Sequence, residues 1–454
     1  MSSILEAQLL LRSLGTLPQR AFRDQLWKDL LSSLSLAPKI FFNGSVQTPK
    51  LDAKSDLAWA HPTGVSSIAM ERTDGQLLIS GGADASIRLW DLTSLEPNYP
   101  AAGRHVPLIT SPRGKHSHTH GVTCVSFYPF DSGAVLSSSY DHSLKVSSTH
   151  TLSPTASFPL GSIIYAHAMS PIAQHVLIAC ATQASVVRLV DLRSGAMTQG
   201  LIGHRGDVLN ASWSPRREHI LATAGADGTV RLWDIRRSAA AIGMLDLEDD
   251  IGLVTREGQR SSGVAHIGPC NGVTWTTDGE HIISAGHDDR IRVWHAATGR
   301  NTLVHFGPTI RNKTFTALHM VAINVDGRDI LIWPNEKEIM MGEVLEGKIL
   351  RRFQPGRRAA IAQGGGGGGG GAGGTRNTKE QVTGVAWRGA GYCEFYSAHT
   401  DGLIRAWLPG GEVEADLEDE AEGQVVDGED ENFKKRKALE QLHRHMTKQR
   451  ITFT

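Results

Sequence analysis

An aspartate stands six residues before a tryptophan at four places in this chain: Asp84–Trp90, Asp227–Trp233, Asp288–Trp294 and Asp401–Trp407. Each aspartate follows an apolar run closed by small Ser, Thr, Ala or Gly residues. Each tryptophan ends an alternating run, as in LLISGGADASIRLWDL (77–92) and ILATAGADGTVRLWDI (220–235). Residues 135–148 fit the same template with Asp141, although Ser147-Ser148 replace the Trp-Asp ending, and 187–195 fit with Val190-Asp191. Histidines precede the aspartates at matching intervals: His61, His118 and His204 lie 23 residues before Asp84, Asp141 and Asp227, and His266 lies 22 before Asp288. A further alternating run separates each His from its Asp. Alternation with period two, bounded by Gly, Asp and Pro, describes strands joined by tight turns. A repeated strand unit cannot bury its apolar face alone, so the units must stack on one another.

These motifs resemble the WD-repeat family, whose repeats start near Gly-His, end near Trp-Asp and supply four strands per blade. Endings near 90, 147, 190, 233, 294, 342 and 407 make seven units, a number that closes a ring and removes its sheet edges. The expected fold is all-β: a seven-bladed WD-repeat β-propeller over 51–410, with an N-terminal helix-loop-helix (1–50) and an acidic then basic, partly disordered tail (411–454). The sixth unit, Phe315–Ile349, has no Trp-Asp ending and is placed chiefly because the ring needs it. Insertions are expected at Thr93–His116, at Arg237–Gly263 and over about 357–379. The last holds the glycine runs 364–371 and 373–374, which favour a flexible loop because ordering glycine costs the most backbone entropy. No Gly-Lys-Ser/Thr follows them, so they do not form a phosphate loop.

The two extensions differ in kind. Ile4, Ala7, Leu10, Leu11 and Leu14, then Phe22, Leu26, Leu30 and Leu34, fall at helical spacing around Gly15 and Pro18. A closed propeller offers these helices no obvious slot, so their apolar faces are expected to need another surface. The segment 412–431 holds eleven acids and is followed by Lys434-Lys435-Arg436-Lys437, a candidate nuclear import signal. The whole chain has a formal net charge of -1, which argues against direct nucleic-acid binding by the ring. No apolar run approaches the roughly 18–20 residues that span a bilayer, so no membrane association is expected. The start of the chain has no basic region and no cleavage site of a secretory leader. Cys124, Cys180, Cys270 and Cys393 are scattered, without metal-binding spacing or a disulfide pattern, which suits a reducing compartment.

Ser, His and Asp recur in every well-formed unit, and that recurrence decides their role. One set per blade reads as an internal hydrogen-bond network of His, Asp and Trp, because an active site does not repeat around a ring. The network comprises His61, Asp84 and Trp90; His118 and Asp141; His204, Asp227 and Trp233; His266, Asp288 and Trp294; and Asp401 and Trp407. In His116-Ser-His118-Thr-His120, His118 is the second blade's network histidine and its neighbours are loop residues. No catalytic residue, cofactor site or metal site is expected; a propeller hydrolase would require a polar cluster at the mouth of the central channel.

A different spacing carries more function. Asp191-Leu192-Arg193 and Asp234-Ile235-Arg236 put an arginine two residues after the anchoring aspartate, at the expected end of the fourth strand, in two successive units. Such an aspartate can hold the guanidinium by charge-assisted hydrogen bonds, so that a planar fork projects from one face. The spacing resembles the motif of WD-repeat receptors that dock on the damaged-DNA-binding adaptor of cullin–RING ubiquitin ligases. Those receptors also insert an N-terminal helix-loop-helix into the adaptor, which implies contacts from Leu10, Leu14, Leu26 and Leu30 beside Asp191, Arg193, Asp234 and Arg236. Residues 120–146, 165–179, 188–195, 203–238 and 299–307, which include YPFDSG, YAHAMSP and SWSPR, resemble the Cockayne syndrome A protein family. That resemblance implies a nuclear, non-enzymatic substrate receptor in transcription-coupled nucleotide excision repair. Its implied partners are the adaptor and cullin–RING ligase, stalled RNA polymerase II and a repair-coupling remodeller, with substrate recruited on the face opposite the adaptor. The alternative is a ligase-independent WD scaffold in chromatin or RNA processing.

Overall fold

The computed structural model describes residues 12–13, 18–37, 40–44, 59–94, 103–237, 241–247, 263–355, 381–389 and 391–409. The chain divides into two units, Met1–Gly410 and Gly411–Thr454, and all the described residues lie in the first. They form a seven-bladed β-propeller. Among them, six blades have four antiparallel strands and the fifth has three. The first strands, which line the central channel, are Val65–Met70, Val122–Phe127, Ile164–Met169, Val208–Trp213, Cys270–Trp275, Val321–Val325 and Val382–Gly389.

Second strands are buried on both faces because they lie between neighbouring blades: Ile220–Gly225 has five of six residues buried, and so has Leu77–Gly82. Third strands are buried with few breaks, as in Val230–Asp234, where Arg231 alone is half-exposed. Between blades, Trp213 Nε1 donates to Ala168 O at 3.0 Å and Trp275 Nε1 to Ser212 O at 3.1 Å. These indoles fill the inter-blade seams while satisfying their N–H groups on the previous blade's inner strand.

The ring closes with its N-terminal segment. Leu34–Leu36 pairs antiparallel with Ile404–Pro409 as the outer strand of blade seven, in the register Leu34↔Pro409 and Leu36↔Trp407. Ile40–Phe42 then pairs in parallel with Gly103–His105, beside blade one. Phe42, 1% exposed, wedges between the first and last blades. Its ring stacks on His105 at 4.8 Å and meets Trp90 and Tyr396 edge-on at 5.3 and 5.9 Å.

The helix Gln19–Ser33 finds its surface on the ring itself, which corrects the expectation that its apolar face is left over. Leu31 is buried, and Trp27 and Leu30 pack against the core shared by blades six and seven. Arg23 pairs with Asp326 at 2.8 Å, and Arg351 Nη1 donates to Leu31 O and Ser32 O. A cation on the last carbonyls suits the negative end of a helix. Leu34 is not helical as its spacing suggests; the strand pairing takes it and buries it completely. Of the first expected helix, only Arg12 and Ser13 are described, and both are helical. Leu10, Leu14, the glycine runs, the acidic segment and Lys434, Lys435, Arg436 and Lys437 lie outside the described residues.

Blade six is regular: Val321–Val325, Arg328–Asn335, Glu338–Glu343 and Ile349–Phe353 form a four-stranded sheet. Its tryptophan, Trp333, sits on the second strand rather than the third. There it meets Phe306 edge-on at 5.5 Å, and its Nε1 has no hydrogen-bond partner among the described residues.

Candidate functional site

The repeated polar set is brought together in blades one, two, four and five, and in altered form in blade seven. His204 Nε2 and Trp233 Nε1 both reach Thr223 Oγ1 at 2.8 Å, and His204 Nδ1 faces Asp227 at 3.2 Å. His61, Ser80, Trp90 and Asp84 repeat the arrangement, as do His266, Ser284, Trp294 and Asp288. In blade two His118 binds Asp141 and Ser137, with no indole, because Ser147 stands there. Blade seven uses a histidine outside the spacing pattern. His399 Nε2 meets Ser397 Oγ at 2.8 Å, Trp407 Nε1 donates to that hydroxyl, and Asp401 accepts from Arg405 Nη2 instead of facing a histidine.

The aspartates are turn residues as well as histidine partners. Oδ1 of Asp84, Asp141, Asp227 and Asp401 accepts the backbone N–H two residues on, at 2.9–3.1 Å. That geometry puts the residue between them in the left-handed region, at φ 67° for Ala85, 67° for His142, 74° for Gly228 and 86° for Gly402. Gly225 must lack a side chain, since a Cβ there would lie 2.6 Å from His204 Nδ1. Burial would raise the Asp84 carboxyl, but hydrogen bonds and charge from His61, with help from Ser86, hold it down at about 2. Desolvation lowers His61 and His266 below the usual imidazole value. Sequence reasoning missed the basic residue four positions after each aspartate: Arg88, Lys145, Arg231, Arg292 and Arg405. Arg292 returns to Asp288 at 2.7 Å, while Lys145 Nζ donates to His116 O and Ser117 O. The signal was present in the same segments, at a spacing of four.

The two Asp-x-Arg pairs differ in geometry. Asp234 is 6% exposed and Arg236 is 64% exposed in their side chains. Arg236 Nε donates to Oδ1 at 3.0 Å and Nη2 to Oδ2 at 2.8 Å, a bidentate fork that leaves the outer guanidinium N–H groups pointing away. These bonds hold the Asp234 carboxyl down at about 2. Both aspartates also accept the backbone N–H two residues on, Asp234 at 3.1 Å and Asp191 at 3.0 Å; that bond is the first cause of the lowered Asp191 pKa, and the Arg193 side chain is exposed. Both aspartates end the third strand of their blade rather than the fourth, because a further strand follows each, and ladder pairing sets their level. Asp191 pairs with Leu177 and Asp234 with Ile220, at the end where the first strands finish at Met169 and Trp213. Both pairs therefore lie on one face, the exit face of the inner strands. Arg216, Arg217 and Arg237 are exposed beside them, and Phe130 and Ile172 stand 46% and 44% exposed on adjoining loops. Leu26 is half-buried, and Leu30 is engaged by the ring core.

The wall of the central channel holds a further Ser–His pair, separate from the blade networks, that imitates a catalytic dyad. Ser126 Oγ lies 2.8 Å from His167 Nε2 on the wall of the channel's exit half. The other ring nitrogen meets Ser138 Oγ at 3.0 Å, so no carboxylate backs the imidazole. Burial and the neighbouring His319 push His167 down to about 3, too weak a base to take a serine proton. Among the described residues no group of three or more His, Cys, Asp or Glu is placed to hold a metal, and no helix is long and apolar enough to cross a membrane.

Comparison with known proteins agrees with this architecture. The family model "WD domain, G-beta repeat" matches residues 57–91, 111–146, 195–234 and 259–295. "WD repeat-containing protein ATCSA-1" of Arabidopsis thaliana is 30% identical over 435 residues, covering 81% of this chain and 90% of that protein. "Radiation-sensitive protein 28" of Saccharomyces cerevisiae is 26% identical over 199 residues, 40% of this chain and 39% of the yeast protein. "Ribosome biogenesis protein YTM1" of Phaeosphaeria nodorum is 27% identical over 261 residues, 52% and 55% of the two chains.

Proposed function

The chain belongs to the WD-repeat protein family, and from that premise we propose that it is the non-catalytic substrate receptor of a cullin-4-type RING ubiquitin ligase in transcription-coupled nucleotide excision repair. The observation that carries the proposal is the pair of Asp-x-Arg ends on successive blades, both on the exit face, with Arg236 preset by Asp234. A guanidinium already locked on its carboxylate loses little rotamer freedom when its remaining donors meet a partner. In this reading Asp191, Arg193, Asp234 and Arg236 hold the damaged-DNA-binding adaptor. Leu10, Leu14 and Leu26 supply the helical contact; Leu30, packed on the ring, positions the helix. The entry face of the inner strands stays open to substrate, and the receptor contributes proximity between ubiquitin donor and substrate lysine rather than chemistry.

The similarity across 90% of ATCSA-1 supports a place in the Cockayne syndrome A family, and the name of the radiation-sensitive relative fits a damage response. On the same footing, stalled RNA polymerase II and its remodeller are the proposed partners, the nucleus is the proposed compartment, and Lys434, Lys435, Arg436 and Lys437 are the proposed import signal. The ribosome-biogenesis relatives favour the second reading, a ligase-independent scaffold in RNA processing.

Purified adaptor and receptor decide between them. The wild-type chain binds the adaptor and Arg193→Glu with Arg236→Glu abolishes the complex if the receptor reading is right; absence of a complex, or one indifferent to both substitutions, favours the scaffold reading. Deleting the N-terminal 45 residues is a poor substitute, because it also removes the strand and the phenylalanine that close the ring.

A further inference from the structure

Two large apolar side chains stand in water on the entry face, the face opposite Arg236. Ile267 is 75% exposed and Phe315 65% exposed. Neither exposure reflects a loose loop. The connection into blade six is pinned along its length: Arg311 N donates to Asn335 Oδ1, Asn312 N to Asp289 Oδ1, and His287 Nε2 to Thr314 O. Asn271 Nδ2 donates to Thr314 O at 2.7 Å and to Thr316 O at 3.1 Å, on either side of Phe315. The Phe315 ring meets His287 edge-on at 5.0 Å. His287 N in turn donates to Pro269 O in the loop that carries Ile267, and Ile267 N donates to Asp288 Oδ2. The segments that carry Ile267, His287 and Phe315 are thus tied to one another by hydrogen bonds into one platform. A backbone held this firmly while it presents a phenylalanine to solvent has the character of a preorganised hot spot.

The charge around the platform is positive. Arg205, Arg290, Arg311 and Lys313 are exposed on the same and adjoining turns. Lys313 has no ion pair among the described residues, and the nearby Asp289 is 3.7 Å from Arg311. Apolar anchors ringed by cations complement a peptide with apolar side chains set among acids.

We propose that the Ile267–His287–Phe315 platform docks an acidic peptide segment bearing apolar anchors, supplied by the protein that the ring recruits. The proposal rests on the two-faced receptor reading and gives its open face a ligand chemistry. The test uses the full chain and a fluorescein-labelled synthetic peptide of Asp and Glu interrupted by two leucines, followed by anisotropy. The peptide binds, more weakly at high salt. Phe315→Ala and Lys313→Glu each weaken it about tenfold, as truncation of a hot-spot contact does, without lowering the melting temperature. Replacing the two leucines by serine weakens it similarly. Arg236→Glu leaves it unchanged, so loss of adaptor capture and loss of peptide binding indict different faces. Failure of the wild-type chain to bind, equal binding of the serine-substituted peptide, or indifference to both platform substitutions overturns the proposal.

Discussion

Replacing Thr223 by valine leaves two buried groups without partners at once. Thr223 is 0% exposed, and its hydroxyl lies 2.8 Å from both His204 Nε2 and Trp233 Nε1. Valine keeps the shape and removes the hydroxyl, so the indole N–H loses its acceptor and the imidazole its donor. A buried polar group left unsatisfied costs about 1–3 kcal/mol, so Thr223→Val should destabilise the ring by roughly 2–6 kcal/mol. Blade two supplies an internal control. Ser137 holds the equivalent place, bonded to His118 Nε2 at 2.8 Å, but no indole reaches it because Ser147 replaces the tryptophan. Ser137→Ala orphans one group and should cost about half as much, about 1–3 kcal/mol. Urea unfolding of the two variants at unchanged slope measures the difference. Equal losses, or a neutral Thr223→Val, would mean that the repeated set is not a hydrogen-bond network that stabilises the blades.

Phe42→Ala should destabilise by about 3–5 kcal/mol, as for a fully buried aromatic, and should speed amide exchange in Val382–Gly389 and Ile404–Pro409; an unaltered melt and exchange pattern would remove the wedge from the account of ring closure. Acid should destabilise the propeller from about pH 6.5 downward. His61 and His266 are lowered by desolvation, and His319 and His167 lie at about 4 and 3. They are neutral in the folded ring and protonated in the unfolded chain as pH falls below the ordinary imidazole value, so stability present above pH 6.5 drains away toward the folded values. Below about pH 4 the carboxylates held at about 2, Asp84 and Asp288, add to the loss. A melting temperature flat between pH 7 and about 4.5 would contradict this linkage.

The aspartate-to-tryptophan spacing made the ring legible, because turn, buried hydroxyl and indole must recur together for a blade to satisfy its own polar atoms. Blade six was placed only by the need for closure. Its core is filled by Trp333 on another strand and by Phe306 from the preceding connection, so the motif has nothing to mark. His399 escaped notice because it reaches Ser397 from its own strand, not from upstream. The N-terminal helix read correctly as amphipathic but not in its destination. Its dock depends on Arg351 and Asp326, residues more than 300 positions away that no local pattern links to it. Side-chain spacing placed Arg193 and Arg236 as equals. The structure separates them, since both aspartates accept the backbone N–H two residues on but Asp234 grips the guanidinium as well. Phe315 carried no functional signal in the sequence, where it only opens the sixth unit; the structure puts it in the connection before that blade's first strand.

The proposed adaptor site consists of the Asp-x-Arg ends on the exit face. The most direct measurement is the affinity of the purified full chain for the purified damaged-DNA-binding adaptor, with Arg193→Glu, Arg236→Glu and the double variant, and with Phe315→Ala as a control on the opposite face. The account predicts weakening by each single charge reversal, the larger effect at the preset Arg236, near-complete loss in the double variant, and no change for Phe315→Ala, all with unchanged melting temperatures. Undiminished affinity of the double variant would contradict it.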